Sequence, residues 1–325
     1  MAILKSSVEH NRVNLADVIP LSVPFVLYVE LSGFCNLKCR FCPHFLDPDS
    51  LIKDNMSFEI FRKIVDDIEG LGRLKVLRLI GTGEPLLNKK FLEMVHYAKK
   101  SSSVDKLELT TNGILLKKEE YHKNLTKYLD RIIISIEGLD EQAYLDVAGT
   151  KINYTDLVEN IGKLYENKRD CTIYIKIHNN ALKNKNDLKL FHKYFGKICD
   201  EIYVENLVNL WPETISNLGL DSGHRFNDVD QKQTVCTQIF KSMMVNANGD
   251  VVPCCVDFKR VNNLGNVSMQ NLGEIWKSHK LEEIRKTHLR GEGGTISPCS
   301  GCSYYQSDVD NIDANKDEIL KRISS

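Results

Sequence analysis

The stretch CNLKCRFC, residues 35–42, places Cys35, Cys39 and Cys42 in one short segment of the chain. A cubane iron–sulfur cluster has four irons, so three thiolates leave one iron open for another ligand. A structural zinc ion needs a fourth protein ligand, and its cysteines usually come in Cys-x-x-Cys pairs. The triplet therefore predicts a reactive iron–sulfur cluster, with three thiols of a zinc or disulfide loop as the alternative.

The bulk composition is that of an ordinary globular protein, with 325 residues, 42% of them hydrophobic and 27% charged. Lys and Arg total 43 and Asp and Glu total 44, so the chain lacks the basic field of nucleic-acid-binding proteins. The apolar stretch 18–31 is interrupted by Pro20, Pro24 and Glu30, which argues against a membrane span or a signal peptide. We therefore expect a cytoplasmic protein with no nucleic-acid or membrane partner, whose 10 cysteines serve largely as metal ligands.

Short apolar segments alternate with amphipathic ones between residues 24 and 205. In the first helical segment Ser57 is suited to cap the helix, and Ile60, Ile64 and Ile68 recur on one face. Six strand–helix repeats predict an α/β fold, a parallel sheet curved into a partial barrel with its active site at the carboxyl ends of the strands. The predicted strands are 24–31, 74–80, 106–111, 131–136, 172–178 and 201–205, and the predicted helices are 57–70, 89–100, 117–128, 155–167 and 186–195.

Polar or glycine-rich groups follow these strands. The segment GTGEP, 81–85, has two glycines that allow a tight turn and close approach to a ligand, and Glu84 can accept from an ammonium group. Asn112 ends the third strand, and Ser135 and Glu137 end the fourth. From the residues alone, these positions fit ordinary turns as well as a binding site.

The pattern Cys-x-x-x-Cys-x-aromatic-Cys, with Phe41 as the aromatic residue, resembles the signature of the radical S-adenosylmethionine (SAM) superfamily. In that family SAM chelates the open iron through its amino and carboxylate groups. One electron from the cluster then splits SAM to a 5′-deoxyadenosyl radical. The resemblance implies a [4Fe-4S] cluster and SAM as cofactors of this chain.

GTGEP resembles the Gly-Gly-Glu-Pro motif of the same family, with Thr82 in place of the first glycine. The resemblance implies that Gly83 and Glu84 bind the methionyl amino group of SAM. It also implies that the ribose and methionyl parts are bound by Asn112, Ser135 and Glu137.

A second group of cysteines follows a polar, irregular segment, 206–232. The turn Asn248-Gly249 predicts a hairpin, and an amphipathic helix is predicted over 272–290. Four cysteines from these segments fit a zinc ion as well as an iron–sulfur cluster. They are Cys236, Cys254, Cys299 and Cys302.

The run Cys236-x12-Gly249-x4-Cys254 resembles the start of the SPASM domain, and the absence of cysteines over 303–308 resembles its shortened, single-cluster form, the twitch domain. The resemblance implies a second [4Fe-4S] cluster that four cysteines ligate fully. The predicted organisation is an N-terminal extension (1–23), a radical SAM partial barrel (24–205), a linker (206–232), a small α+β twitch/SPASM-like domain (233–307) and a polar C-terminal tail (308–325).

A fully ligated second cluster suits an enzyme that removes a second electron from a substrate radical. The cysteine spacings resemble those of twitch-domain radical SAM dehydrogenases such as 2-deoxy-scyllo-inosamine dehydrogenase. The resemblance implies oxidation of a secondary alcohol of a sugar or cyclitol to a ketone. Its partners would be that small-molecule substrate and a one-electron reductant such as flavodoxin or ferredoxin.

Three other functions stay open. An epimerase would use Cys255 as hydrogen-atom donor, and a peptide- or protein-modifying maturase would need a recognition domain that residues 1–23 are too short to form. A non-enzymatic electron carrier or zinc-stabilised interaction protein would leave the cysteine triplet unexplained. The catalytic residues are unassigned, although Lys176, His178 and Glu205 stand at strand ends where an acid or base is expected. Cys171 and Cys199 fit core positions.

Overall fold

A computed structural model describes residues 2–6, 12–208, 210–211, 225–226 and 233–324, and most of the predicted linker, 206–232, lies outside this described part. Its strands are β1 (Ile3–Leu4), β2 (Val26–Val29), β3 (Leu74–Leu79), β4 (Val104–Thr111), β5 (Arg131–Ile136), β6 (Thr172–His178), β7 (Glu201–Glu205), β8 (Ser242–Val245), β9 (Asp250–Val252) and β10 (Gly265–Asn266).

The α-helices of the described residues alternate with the strands up to β7 and cluster near the C-terminus. They are α1 (Leu15–Val18), α2 (Pro43–Leu46), α3 (Phe58–Leu71), α4 (Phe91–Lys100), α5 (Glu119–Tyr128), α6 (Glu141–Ala148), α7 (Tyr154–Glu166), α8 (Lys185–Phe195), α9 (Gln238–Lys241), α10 (Leu272–Trp276), α11 (His279–Leu289) and α12 (Lys316–Ser324). Among them, none is long and apolar enough to cross a lipid bilayer.

The strands form one sheet in the order β1-β7-β6-β5-β4-β3-β2-β8-β9-β10. Strands β2 to β7 pair in parallel and in sequence order, which confirms the predicted α/β fold with its parallel sheet. Two additions were not expected from the sequence. The N-terminal strand β1 pairs with β7, and the C-terminal hairpin β8–β9 pairs with β2 through β8, so the cysteine-bearing C-terminal region continues the same sheet.

Strand β6 shows how alternation divides the sheet into two faces. Ile173, Ile175 and Ile177 are all at most 1% exposed and belong to the core under the helices. The residues between them, Tyr174 and Lys176, line a cavity on the opposite face. Side chains alternate across a strand, so the apolar helices cover one face and the other face is left for polar, functional groups.

The C-terminal region differs from the prediction at the helix expected over 272–290. It is two helices, because Ser278 caps α11 by accepting from the Leu281 backbone N–H after α10 has ended at Trp276. Trp276 is fully buried and donates from its indole nitrogen to the Leu21 carbonyl at 2.9 Å. The polar tail also contains a packed helix, α12, in which Ile319 is fully buried.

Candidate active site

The first cysteine loop lies between β2 and α2, and its thiols are close enough to influence one another. Burial raises the pKa of Cys35 to about 11 and that of Cys42 to about 12. For Cys39, burial and then the charges of Glu137, Cys42 and Cys35 raise the pKa. Thiols in this setting ionise only beside a strong positive charge, and metal ligation requires the thiolate. The three side chains therefore fit ligands of a multi-iron cluster.

The GTGEP turn packs directly on the cysteine loop. The Glu84 backbone N–H donates to the Phe34 carbonyl at 2.8 Å. A Cβ on Gly83 would lie only 2.1 Å from the Ser32 carbonyl oxygen and 2.5 Å from that of Phe34. Only glycine permits this approach, so Gly83 holds the two loops together at the mouth of the sheet.

The carboxylate of Glu84 has three partners within the protein. It accepts from the Leu86 backbone N–H at 3.0 Å, the Thr111 hydroxyl at 2.7 Å and the Asn112 backbone N–H at 2.8 Å. The Asn112 side chain in turn donates to Asn36 in the cysteine loop at 2.8 Å. Glu84 and Asn112 thus connect the ends of β3 and β4 to the cysteine loop. This structural role is separate from any contact that they make with SAM.

A cavity of about 870 Å³ extends over the polar face of the sheet. Its volume is within the range of small-molecule binding sites. Phe41 and Cys42 line it on the side of the cysteine loop, together with Ser135 and Glu137. Of the residues predicted to contact SAM, Ser135 and Glu137 therefore line the cavity, whereas Gly83, Glu84 and Asn112 are not among its lining residues.

His178 and Glu137 meet at this end of the cavity, with 3.3 Å between His178 Nε2 and Glu137 Oε2. The imidazole also packs edge-on against Phe41, with 5.0 Å between ring centres. Among the described residues, the two imidazole nitrogens and Glu137 Oε2 have no hydrogen bond of good geometry, and all three atoms are buried. Buried polar atoms are normally satisfied, so these are atoms on which a ligand is expected to bind.

Lys176 and Glu205, the other strand-end residues considered from the sequence, form a second polar group in the cavity. Lys176 Nζ lies 2.8 Å from Glu205 Oε2, and Arg225 approaches the same oxygen at 2.8 Å. Burial alone would raise the pKa of Glu205, but Arg225 and Lys176 lower it to about 2. Sequence analysis missed Arg225, because it lies in the irregular segment where no pattern distinguishes it.

The cavity also contains tyrosines and an ion pair that sequence analysis did not single out. Arg78 and Glu108 pair at 2.5 Å across β3 and β4. Tyr28, Tyr174 and Tyr304 line the same space. The signal for Tyr174 was present in the sequence, because it alternates with the apolar residues of β6 on the same face as Lys176.

The second cysteine set lies close in sequence to two residues that line the cavity, Cys255 and Tyr304. Burial and the neighbouring Cys299 and Cys302 raise the pKa of Cys236. The pKa of Cys254 is raised by Cys255, by burial and by Cys236. Within the described part of the chain, no three His, Cys, Asp or Glu side chains converge on the position of a single metal ion. A four-iron cluster separates its thiolates farther than a zinc ion does, since each binds a different iron. Buried thiols that influence one another in this way fit ligands of a cluster.

Cys255 follows Cys254 in the chain and lines the cavity. Hydrogen bonds with Cys254 and with Tyr304 lower its pKa against the effect of burial. All ten cysteines of the chain are free of disulfides. Cys171 and Cys199 are buried in the core, at 2% exposure each, as expected.

Comparison with protein families matches both cysteine regions. The model of the radical SAM superfamily matches residues 29–183, and that of an iron–sulfur cluster-binding domain, SPASM, matches residues 236–305. A curated relative over nearly the full chain is the tungsten-containing aldehyde ferredoxin oxidoreductase cofactor-modifying protein of Pyrococcus furiosus. It is 24% identical over 330 residues, which cover 87% of this chain and 90% of that protein.

Solved structures share the fold at low sequence identity. SuiB of Streptococcus suis bound to S-adenosylmethionine aligns with a TM-score of 0.66 at 17% identity, over 90% of this chain and 73% of SuiB. BtrN in complex with AdoMet and 2-DOIA aligns with a TM-score of 0.57 at 18% identity, over 88% of this chain and 96% of BtrN. Both alignments span the parallel sheet and extend into the C-terminal region.

Proposed function

This chain is a radical SAM enzyme with a C-terminal SPASM domain, and from that premise we propose that it oxidises a secondary alcohol of a sugar or cyclitol to a ketone. Its two domains imply SAM and [4Fe-4S] clusters as cofactors. The observation that supports the proposal is the cavity, whose lining includes Cys42 of the first cysteine set and Cys255, the neighbour in sequence of Cys254 of the second set. It is about 870 Å³, is lined by charged and hydroxyl-bearing side chains, and is suited to SAM together with one small polar molecule.

The proposed cofactor ligands come from both sides of this cavity. Cys35, Cys39 and Cys42 would hold the first cluster, and Ser135 and Glu137 would contact SAM beside it. The second cluster would be held by Cys236, Cys254, Cys299 and Cys302. The proposed domain boundaries remain 24–205 and 233–307, with the proviso that β8 joins both regions in one sheet.

When bound, SAM and the first cluster supply a radical that takes a hydrogen atom from the substrate carbon, and the second cluster supplies an acceptor for the remaining electron. The protein must orient the carbon and accept the hydroxyl proton. His178 is a candidate for the proton, because it lines the cavity beside Glu137 and its ring nitrogens make no hydrogen bond with the residues that the structure describes. Overall the alcohol loses two hydrogens as one hydrogen atom, one proton and one electron.

We also propose that the enzyme works in the cytoplasm and draws electrons from a flavodoxin or ferredoxin. Ten free cysteines suit a reducing compartment, and a [4Fe-4S] cluster of this type must be reduced before each SAM cleavage.

Epimerisation is the second candidate, because Cys255 and Tyr304 both line the cavity. In that reaction the thiol returns a hydrogen atom to the substrate radical, so the substrate keeps its oxidation level. The P. furiosus relative, a cofactor-modifying protein, keeps modification of a larger molecule as an alternative.

Anaerobic turnover in deuterated water, analysed by mass spectrometry on a panel of cyclitols and sugars, tests the proposal. A dehydrogenase gives a product lighter by two hydrogens, and its Cys255→Ala variant retains most of the activity. A product isomeric with the substrate, labelled with solvent deuterium and lost in Cys255→Ala, would contradict dehydrogenation and establish the epimerase.

A further inference from the structure

The carboxylate of Glu205 is bonded on one oxygen only. Oε2 accepts from Lys176 Nζ at 2.8 Å and from Arg225 Nε at 3.0 Å and Nη2 at 2.8 Å. Oε1 is buried and has no hydrogen-bond partner among the residues that the structure describes, although Glu205 is only 6% exposed and lines the cavity. Leaving a buried carboxylate oxygen without a hydrogen bond costs free energy, and this one belongs to a side chain that lines the cavity, so a ligand hydroxyl is a suitable donor for it.

A second bare atom lies on the neighbouring strand. Tyr174 of β6 is fully buried and lines the same cavity, and its hydroxyl has no hydrogen-bond partner in the described part of the chain. Its ring is held by the guanidinium of Arg131, 4.7 Å from the ring centre. Tyr174 and Glu205 stand on paired neighbouring strands, β6 and β7, and line the same cavity. Burial and then the charge of Glu205 raise the pKa of Tyr174. The hydroxyl is thus neutral, fixed in position and able to donate.

We propose that Glu205 and Tyr174 form a subsite that binds hydroxyl groups of a neutral polyol, with Glu205 Oε1 accepting from one hydroxyl and Tyr174 donating to another oxygen of the same ring. This inference rests on the proposed function and names the side chains that recognise its substrate. Lys176 and Arg225 complete the subsite by holding the carboxylate in place.

Charge selects a neutral hydroxyl over an ammonium group at this subsite. Two cationic side chains already contact the Glu205 carboxylate, so a third positive group would meet repulsion that one carboxylate does not offset. The same positive charge acts on Lys176. Burial lowers the pKa of Lys176, the charge of Glu205 opposes this shift, and the charge of Arg225 adds to it. A hydroxyl satisfies Oε1 without adding charge.

The test measures binding rather than turnover, using anaerobic holoenzyme loaded with SAM and titration calorimetry. The neutral probes are myo-inositol and scyllo-inositol, the cationic probe is scyllo-inosamine, and the anionic probe is myo-inositol 1-phosphate. The variants are Tyr174→Phe and Glu205→Gln. Tyr154→Phe is the matched control, because its hydroxyl is also buried and unpartnered but Tyr154 does not line the cavity.

We expect a neutral probe to bind the wild-type protein more tightly than the cationic and anionic probes. Tyr174→Phe should weaken that binding about fivefold and Glu205→Gln about tenfold, since the bond to the carboxylate is charge-assisted. Tyr154→Phe should leave the affinity for the neutral probe unchanged. Neither tyrosine substitution should alter the affinity for SAM. Tyr174→Phe removes only the hydroxyl oxygen, which makes no hydrogen bond with the described residues, so this variant should fold. It therefore remains informative if Glu205→Gln fails to fold.

The outcomes separate this inference from the function on which it rests. A neutral probe that binds Tyr174→Phe as tightly as wild type would overturn the subsite and leave the dehydrogenase proposal intact. If scyllo-inosamine or myo-inositol 1-phosphate bound more tightly than the neutral probes, the proposal that the ligand is neutral would be wrong. If none of the probes binds the wild-type protein, both the subsite and the sugar or cyclitol substrate are wrong.

Discussion

Glu30 and Thr82 are joined by two hydrogen bonds, because the backbone N–H and the hydroxyl of Thr82 each donate to Glu30 Oε1 at 2.8 Å. The other carboxylate oxygen accepts from the Ala247 backbone N–H at 3.4 Å, in the turn after β8. Thr82 stands where the related motif has a glycine. Its side chain therefore has a structural role. Through the buried carboxylate of Glu30, it connects the GTGEP turn to the C-terminal region.

Removing that hydroxyl should destabilise the protein. We expect Thr82→Val to lower the free energy of unfolding by roughly 1.5–3 kcal/mol, because Glu30 is 3% exposed and loses a donor that water cannot replace. Thr82→Ser keeps the hydroxyl and should retain most of the stability. Urea denaturation of anaerobic protein measures both variants, and equal stabilities for them would refute a role for the hydroxyl.

Glu84 and Ser135 should separate structural from direct effects on SAM binding. Glu84→Ala removes the acceptor of three internal bonds, so it should reduce both the free energy of unfolding and SAM affinity. Ser135→Ala, which changes a half-buried cavity residue, should weaken SAM binding by roughly 1 kcal/mol and leave stability within about 0.5 kcal/mol. Calorimetric titration with SAM and urea denaturation measure the pair. Unchanged SAM affinity in a folded Glu84→Ala variant would exclude that residue from the site.

The strands of the partial barrel were predictable because each is a short apolar run with a polar or glycine-rich end. Strand β6 was predicted over 172–178 and is observed as Thr172–His178. The attachment of β1 and β8 was not predictable, since a two-residue strand has no periodicity and the pairing of β8 with β2 joins segments far apart in sequence. The break between α10 and α11 was missed because Ser278 interrupts a continuous amphipathic pattern.

In the site, spacing alone identified the cysteines, because their chemistry demands a fixed residue type at fixed intervals. It did not identify how Glu84 is used, since a strand-end carboxylate can bind a ligand or its own backbone. Arg225 and Tyr304 reach the cavity from segments without regular structure or from short turns. Their positions depend on tertiary packing, which no local pattern encodes.

Acid should destabilise the C-terminal region through His288. This imidazole is 4% exposed and has no hydrogen-bond partner within the described ranges, and burial lowers its pKa to about 4. The unfolded chain takes up a proton near the ordinary value of 6.5 while the folded protein resists it, so the folded state is favoured above that pH. Stability should fall as the pH drops from 6.5 toward 4, by at most about 1.4 kcal/mol per pH unit.

His288→Leu should flatten this pH dependence, because it fills the apolar site without a titratable group. The control is His279→Gln on the same helix, where the side chain is 86% exposed. Urea denaturation between pH 5.5 and 7.5 compares the three proteins. A slope in His288→Leu equal to that of wild type would assign the acid sensitivity to another group.

The two cysteine sets should be separable by iron content. Anaerobically reconstituted protein is expected to carry about eight irons per chain, and the triple variant Cys35, Cys39 and Cys42→Ala about four, because the second set ligates its own cluster. That variant should lose SAM cleavage completely while its remaining cluster stays visible by absorption and paramagnetic resonance. Cys171→Ala is the matched control, since its thiol is buried in the core and should cost no iron. Stoichiometric zinc with a single cluster, or SAM cleavage that survives the triple change, would show that the cysteines had been assigned to the wrong metals.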